Sequence, residues 1–303
     1  MPDYIDLALK GIIEDLFDHF MLYFLPEIFA GMDHSVPPEF LDKELETLFP
    51  DSEPHGRIAD KLIKVRLTTG DDFFILIHIE FQGYEDSAFA GRMFTYYYRI
   101  FDRYRLPVEA LAIFTGRRVT DVGAYNYDGL TTRLDYRYKT FHINNLTEQT
   151  LLAGTNPFSL VMLALKKLDA GKKTPMRLFE LKKEMINCIF DYEIKQFDLH
   201  TVDRLILFLD AVIKLPDELK TECIKYIDDK KGVKNMAGLM IELTDTYEYA
   251  YGKGVREGEQ KGKMEGFLEG KLEDARKMLK KHIPISDILE ITGLSIEDIS
   301  KLQ

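Results

Sequence analysis

The sequence predicts an α/β fold, a mixed sheet flanked by helices and followed by an all-helical C-terminal region. Three observations predict it. Residues 57–145 hold four strand-like runs with one helix among them. Residues 1–56 show helical spacing, and residues 146 onward read almost entirely as helix.

Each element has its own signal. Within 1–56, Ile12, Leu16, Phe20 and Phe24 recur at helical spacing, with breaks at Pro26 and Pro37-Pro38. Residues 58–67 alternate, placing Ile63, Val65 and Leu67 on one face and Asp60, Leu62, Lys64 and Arg66 on the other. Thr69-Gly-Asp-Asp72 is a turn and 73–82 is a second strand. The two predict a hairpin whose paired positions sum to about 141, with Asp60 opposite residue 81 or so. Residues 86–104 predict a helix. The apolar run VEALAIFT at 108–115 suits a strand buried on both faces. Residues 135–143 predict a fourth strand. Further on, 160–168, 185–190 and 205–213 carry core-like apolar spacing. The domain boundaries read as 1–145 for the α/β core with its N-terminal helices, 146–248 for a helical region and 249–303 for the tail.

Composition narrows the class. With 46% hydrophobic and 30% charged residues over 303 positions, the chain is globular, which excludes disordered, collagen-like and disulfide-scaffold readings. Cys188 and Cys223 are the only cysteines. Both sit in helix-like stretches without metal-ligand spacing, which argues against a zinc site and for a reducing compartment. The start MPDYIDLALK has no basic n-region, unlike a signal peptide. The apolar stretch 16–30 is interrupted by Asp18, His19, Pro26 and Glu27, too polar and short to span a bilayer. A cytoplasmic protein with no membrane partner is expected.

The net charge is −11, from 51 acidic and 40 basic residues. Residues 1–56 hold 13 acids and 2 bases, 57–105 hold 7 acids and 8 bases, and the remainder is nearly balanced. Overall acidity argues against non-specific nucleic-acid binding. A local basic surface beyond residue 56 stays open.

In the tail, Gly254, Gly258, Gly262, Gly266 and Gly270 recur every four residues among charged neighbours. Each costs about 1 kcal/mol in a helix relative to alanine. The stripe suits either a solvated helical linker or a helix through which copies of the chain associate. Residues 283–299 read as helix, Gly293 turn, helix, capped at Ser295. A small packing hairpin and a DNA-reading element both fit, although Asp287, Glu290, Glu297 and Asp298 suit phosphate contact poorly.

The second strand carries the chemistry. Phe74, Leu76, His78, Glu80 and Gln82 share one face, which turns polar toward its C-terminal end, while Ile75, Ile77, Ile79 and Phe81 share the other. A carboxylate buried there needs a cation or a metal. Asp60 on the paired strand would converge with Glu80, and two carboxylates suit Mg2+ or Mn2+. Alternatively Asp60 and Glu80 pair with Lys64, Arg57 or Arg92 in a structural network. His78, a lone histidine on a strand, reads as a core residue. No Ser-His-Asp order, phosphate loop or zinc-ligand cluster is present.

Asp60-Lys-Leu-Ile-Lys-Val, followed by Ile77-His-Ile-Glu80-Phe-Gln82-Gly, resembles the core of the PD-(D/E)XK nuclease superfamily. Within it, the chain is similar to the recombination-promoting nuclease (Rpn), or YhgA-like transposase, family of bacteria. Phe40-Leu-Asp-Lys-Glu44-Leu, Phe89-Ala-Gly-Arg92-Met-Phe-Thr-Tyr96-Tyr-Tyr-Arg99, Ala110-Leu-Ala-Ile-Phe-Thr115, the glycine-periodic tail and Thr292-Gly-Leu-Ser295 share in the resemblance. It implies a restriction-endonuclease-like sheet and Mg2+-dependent hydrolysis of DNA phosphodiester bonds, with Mn2+ as an alternative cation. Asp60, Glu80 and the main-chain carbonyl of Phe81 would hold the metal, and Glu44 would match the acid on the helix before the sheet. Ala59 stands where the motif has proline, and Gln82 stands where most of the superfamily has lysine. Gln82 or Lys64 would orient the attacking water, with Lys64 supplying the charge that glutamine lacks. Arg92, Tyr96 and Arg99 would contact DNA. If DNA binds there, Lys61, Lys64, Arg66, Arg92, Arg99, Arg103 and Arg105 are expected to gather near the acids. Two other readings remain: a nucleic-acid-binding or assembly protein that keeps the fold without the activity, and an unrelated α/β protein whose acids are structural.

Overall fold

The structure, a computed structural model, describes residues 3–42, 61–68, 74–84, 86–116, 123–170, 174–191, 197–233, 271–272, 275–279 and 284. Glu44, Asp60, the turn at 69–72, the five tail glycines and the hairpin expected at 283–299 (save Pro284) lie outside these residues. The chain divides into two compact units, Met1–Leu243 and Thr244–Gln303. In the second, residues 271–272 and 275–279 are helical.

The first unit is α/β, with a mixed five-stranded sheet flanked by helices and a helical C-terminal region. It opens with three helices, α1 (Asp3–Asp15), α2 (Phe17–Phe24) and α3 (Pro26–Gly31). Pro26 both ends α2 and starts α3, since its missing N–H costs nothing in a first turn. A two-residue strand β1 (Glu39–Phe40) follows, where the sequence pattern shows no strand. β2 (Lys61–Arg66) and β3 (Phe74–Gln82) form the expected antiparallel hairpin. Its register is one residue from expectation: Lys61 pairs with Ile79 and Lys64 with Leu76. α4 (Phe89–Tyr104) connects β3 to the parallel strand β4 (Val108–Phe114). Phe89, Met93, Tyr96 and Ile100, at i, i+4, i+7 and i+11, form its buried stripe. Asp86 precedes α4 rather than starting it, accepting from the Ala88 N–H.

The fourth expected strand divides in two. β6 (Arg133–Arg137) pairs with β5 (Ala124–Asp128) in a separate hairpin, whereas β7 (Lys139–His142) joins the main sheet beside β4. The sheet order is β1-β2-β3-β4-β7. β4 is fully buried only over its last four residues, the four that pair with β7.

One sheet face packs on the N-terminal helices through Phe17 against Phe40 and Phe24 against Phe141. The other packs on α4 and the β5–β6 hairpin, with Leu62, Leu76, Tyr96 and Ile100 in one cluster and Phe89, Met93, Phe114, Tyr136 and Tyr138 in another. The helical region comprises α5 (Glu148–Ala153), α6 (Pro157–Ala170), α7 (Pro175–Phe190), α8 (Leu199–Val212) and α9 (Asp217–Val233). The three apolar segments read from the sequence fall on α6, α7 and α8 with its C-cap, and α6 packs on α2 through Phe158 against Phe20 and Phe24. Thr147, Thr174 and Asp198 cap α5, α7 and α8 by accepting backbone N–H bonds. No helix among the described residues is long and apolar enough to cross a membrane.

Candidate functional site

β3 lies at the centre of the sheet, and eight of its nine residues are buried. Strand alternation turns Leu76, His78, Glu80 and Gln82 toward α4. Opposite His78 and Glu80, β4 presents only Ala110 and Ala112, small side chains that leave room above the sheet. α4 fills that room with polar groups. The Tyr96 ring meets the His78 ring edge-on at 5.0 Å, and the Arg92 guanidinium lies over Phe89.

Glu80 is 1% exposed. Its Oε1 lies 3.4 Å from Arg92 Nη2, and its Oε2 lies 3.8 Å from His78 Nε2. Arg92 Nη2 also donates to Gln82 Oε1 at 3.3 Å, and its Nη1 donates to Asp86 Oδ2 at 2.5 Å. Burial disfavours the charged guanidinium, but Glu80 and Asp86 together hold its pKa above the ordinary value. Burial also acts against the Asp86 carboxylate. The Arg92 and Ala88 hydrogen bonds outweigh it, so the Asp86 pKa lies below the usual range. The guanidinium is therefore a fixed positive charge clamped between two carboxylates.

Gln82 is committed on both sides. Its Nε2 donates to the Tyr84 carbonyl at 2.8 Å, which orients the amide so that Oε1 faces Arg92. Its own carbonyl accepts from the Thr115 N–H at 2.9 Å. Beyond it, β3 and β4 close together: a Cβ on Gly116 would stand 2.2 Å from the Gly83 carbonyl oxygen, so only glycine fits. Because the Gln82 carbonyl faces β4, strand alternation points the Phe81 carbonyl toward the β2 side, past the Lys61–Ile79 pair.

Lys64 is not in this cluster. It pairs with Leu76, four residues from Glu80 along β3, roughly 13 Å at about 3.3 Å per residue. Its Nζ donates to Glu39 at 3.1 Å and lies over the Phe74 ring. Tyr96 belongs to the core rather than to a groove, and Arg99 is exposed one turn further along α4. The basic side chains do not converge either. Arg66 faces Asp33, and Arg105 bonds Asp102.

Three partners were not visible in the sequence pattern. Asp86 anchors Arg92. On the opposite sheet face, Lys61 is fully buried, donating to Glu14 at 2.5 Å and Asp42 at 2.6 Å, while Asp42 also accepts from the Leu62 N–H. Asp42 thereby grips the first residues of β2. An aspartate three residues ahead of a helical stripe is a capping signal that would have picked out Asp86. No periodicity marks Glu14 or Asp42.

Among the described residues, no three His, Cys, Asp or Glu side chains gather as a metal-holding group. The donors expected for Mg2+ that are described, the Glu80 carboxylate and the Phe81 carbonyl, are hard oxygens of the kind such a cation takes. Comparisons with protein-family models, curated proteins and solved structures return no match.

Proposed function

We propose that the chain is a Mg2+-dependent DNA endonuclease of the recombination-promoting nuclease type, hydrolysing phosphodiester bonds and promoting recombination. One observation carries the reading. A carboxylate, Glu80, is buried at the end of the central strand beside a guanidinium that is itself held in place. A buried carboxylate is costly and clusters of this kind concentrate at functional sites. The residues around it are those on which the nuclease resemblance rests.

In this reading Asp60, Glu80 and the Phe81 carbonyl hold Mg2+ or Mn2+. The cation, when bound, acidifies water and neutralises charge on the phosphate. Arg92 takes the role expected of a lysine at position 82: it presents a permanent positive charge to a phosphate oxygen. Gln82 and Asp86 orient Arg92 and do not touch the substrate. Lys64 has no part in the chemistry. The glycine-periodic tail joins copies of the chain, and the protein works in the cytoplasm, where its DNA lies.

The test is nicking of supercoiled plasmid with Mg2+, Mn2+ or EDTA, beside Asp60→Ala and Glu80→Ala. Metal-dependent nicking lost in both variants is expected. Nicking that survives both would place the site elsewhere.

A second reading, a catalytically weak or inactive nucleic-acid-binding or assembly protein, draws on Gln82. Each end of its amide makes a bond within the fold, to the Tyr84 carbonyl and to Arg92, and an amide carries no charge to stabilise a phosphate. Folded wild-type protein that never nicks but retains DNA binding would favour it.

A further inference from the structure

Gln82 and Asp86, four residues apart in the chain, bond the two terminal nitrogens of one guanidinium. Arg92 Nη2 donates to Gln82 Oε1 at 3.3 Å, and Nη1 donates to Asp86 Oδ2 at 2.5 Å. This pair of bonds bends the chain back around the end of Arg92, with Tyr84 midway between the two acceptors in sequence. Further contacts brace the bend. Gln82 Nε2 donates to the Tyr84 carbonyl at 2.8 Å. Gly83 abuts Gly116, whose own carbonyl accepts from Asn144 Nδ2 at 2.8 Å. The Asp86 carboxylate accepts the Ala88 N–H at 2.9 Å, and its carbonyl accepts the Phe89 N–H at 3.1 Å.

What this braced segment gives to solvent is a ring. Tyr84 is 49% exposed, while Gln82 beside it is buried. A lone exposed aromatic needs no explanation in itself. This one is carried by a backbone whose carbonyl lies one glutamine amide away from Arg92 Nη2, the cation assigned to a phosphate oxygen. The Arg92 side chain is itself 21% exposed. A phosphate that meets Arg92 therefore brings its deoxyribose toward Tyr84. Tyrosine suits such a contact, because its ring offers a large rigid area with only two rotatable bonds to order. The arrangement also uses Gln82 as a glutamine. Its oxygen holds the cation and its nitrogen holds the residue that carries the ring, which a lysine, having no acceptor, does not reproduce.

We infer that Tyr84 is a substrate-contacting residue of the candidate site, its ring packing on the deoxyribose next to the phosphate that Arg92 meets. The inference rests on the nuclease reading for its substrate. It adds a contact to sugar, which carries no base identity.

Binding of a fluorescein-labelled duplex is measured by anisotropy in Ca2+, beside nicking of plasmid in Mg2+. The cation is included because Glu80 and Asp86 outnumber Arg92, so a phosphate needs a further positive charge there. Tyr84→Ala is expected to weaken the duplex about tenfold, and by the same factor for a second duplex of unrelated sequence. Tyr84→Phe keeps the ring and is expected to bind like wild type. In nicking, Tyr84→Ala is expected to raise KM with kcat little changed. Both variants are expected to melt like wild type, since the ring is half exposed. A Tyr84→Ala protein that binds like wild type, whether or not it melts lower, would overturn the inference. So would a Tyr84→Phe protein as weak as Tyr84→Ala, which would give the contact to the hydroxyl, or wild type that does not bind duplex. Nicking separates this failure from failure of the nuclease reading. Wild type that nicks beside an unaffected Tyr84→Ala sinks the Tyr84 contact alone. Ring-dependent duplex binding without nicking sinks only the enzyme.

Discussion

Arg92 on α4 holds its guanidinium 3.4 Å from the buried carboxylate of Glu80 on β3, and this pair joins the helix to the central strand. Neither charge is tolerable there alone. The pair is satisfied by a wider set, with Gln82 sharing one guanidinium nitrogen and Asp86 holding the other. Fold stability and candidate chemistry therefore depend on the same contact.

That dependence predicts a specific pattern of stabilities. Arg92→Met leaves Glu80 buried without its cation and should cost about 2–4 kcal/mol. Glu80→Gln in the same background removes the unpaired charge and should recover part of that loss. Urea unfolding of the two single variants and the double variant measures the coupling. A double variant no more stable than Arg92→Met alone would mean that the pair is not coupled.

A second clasp lies across the sheet. Lys61 is fully buried between Glu14 of α1 and Asp42, and through them it ties the N-terminal helices to the start of β2. Lys61→Met keeps the apolar stem and removes the charge. Glu14 is 46% exposed and can turn to water. The expected loss is therefore about 1–3 kcal/mol, smaller than for Arg92→Met, read from the same urea curves.

The unequal legibility of these features has physical causes. β2 and α4 show in the sequence because each buries a face with a regular period, β3 and β4 because their apolar runs are buried on both faces, and Glu80 because it is a carboxylate within such a run. The boundary between β6 and β7 does not show. Tyr136 and Tyr138 pack in the α4-side core, and His142 stacks on Phe114 of the same cluster, so one unbroken alternation serves two different sheets. Period reports which face is buried, not which strand is the neighbour. β1 is two residues long, too short to carry a period. Asp42 acquires its role from Lys61 and the Leu62 N–H, distant in sequence, whereas Asp86 shows in the sequence only as a capping signal ahead of α4. Lys64 faces the same side as Glu80 but at the wrong level, which only the register reveals.

Acid should remove one defined contribution to stability. Asp198 caps α8, accepting from the Thr201 N–H at 2.7 Å, and the hydrogen bonds from the Thr201 side chain and backbone hold its pKa below the usual range. A carboxylate lowered by folding contributes fully above its unfolded pKa of about 3.9, and the contribution is lost as pH falls through the folded value. Asp198→Ala should cost about 1 kcal/mol at neutral pH. The gap between wild type and variant should narrow as the pH falls below about 3.9. Urea curves taken down the acid limb check both statements. A gap that stays constant into acid would assign the cap's value to something other than the charged carboxylate.

Cys223 should be chemically silent in the native state. It is buried on α9, and burial pushes its thiol pKa up, so little thiolate forms near neutral pH. Iodoacetamide at mild alkaline pH should label Cys223 only after unfolding, as peptide mass mapping would show. Rapid native labelling of Cys223 would mean that α9 opens locally.

The substitution that brings the sequence closer to the superfamily motif should fail here. Gln82→Lys restores the lysine expected at this position, yet the Gln82 side chain faces Arg92 Nη2 at 3.3 Å and the Tyr84 carbonyl. A lysine would put a second cation against the guanidinium and remove the acceptor that orients it. Like charges at that spacing repel, and the strand is too buried for water to screen them. The expected result is a lower melting temperature and plasmid nicking no greater than wild type. A Gln82→Lys protein that melts like wild type and nicks faster would show that Arg92 does not fill the lysine's role, and the charge assigned to it would have to come from position 82.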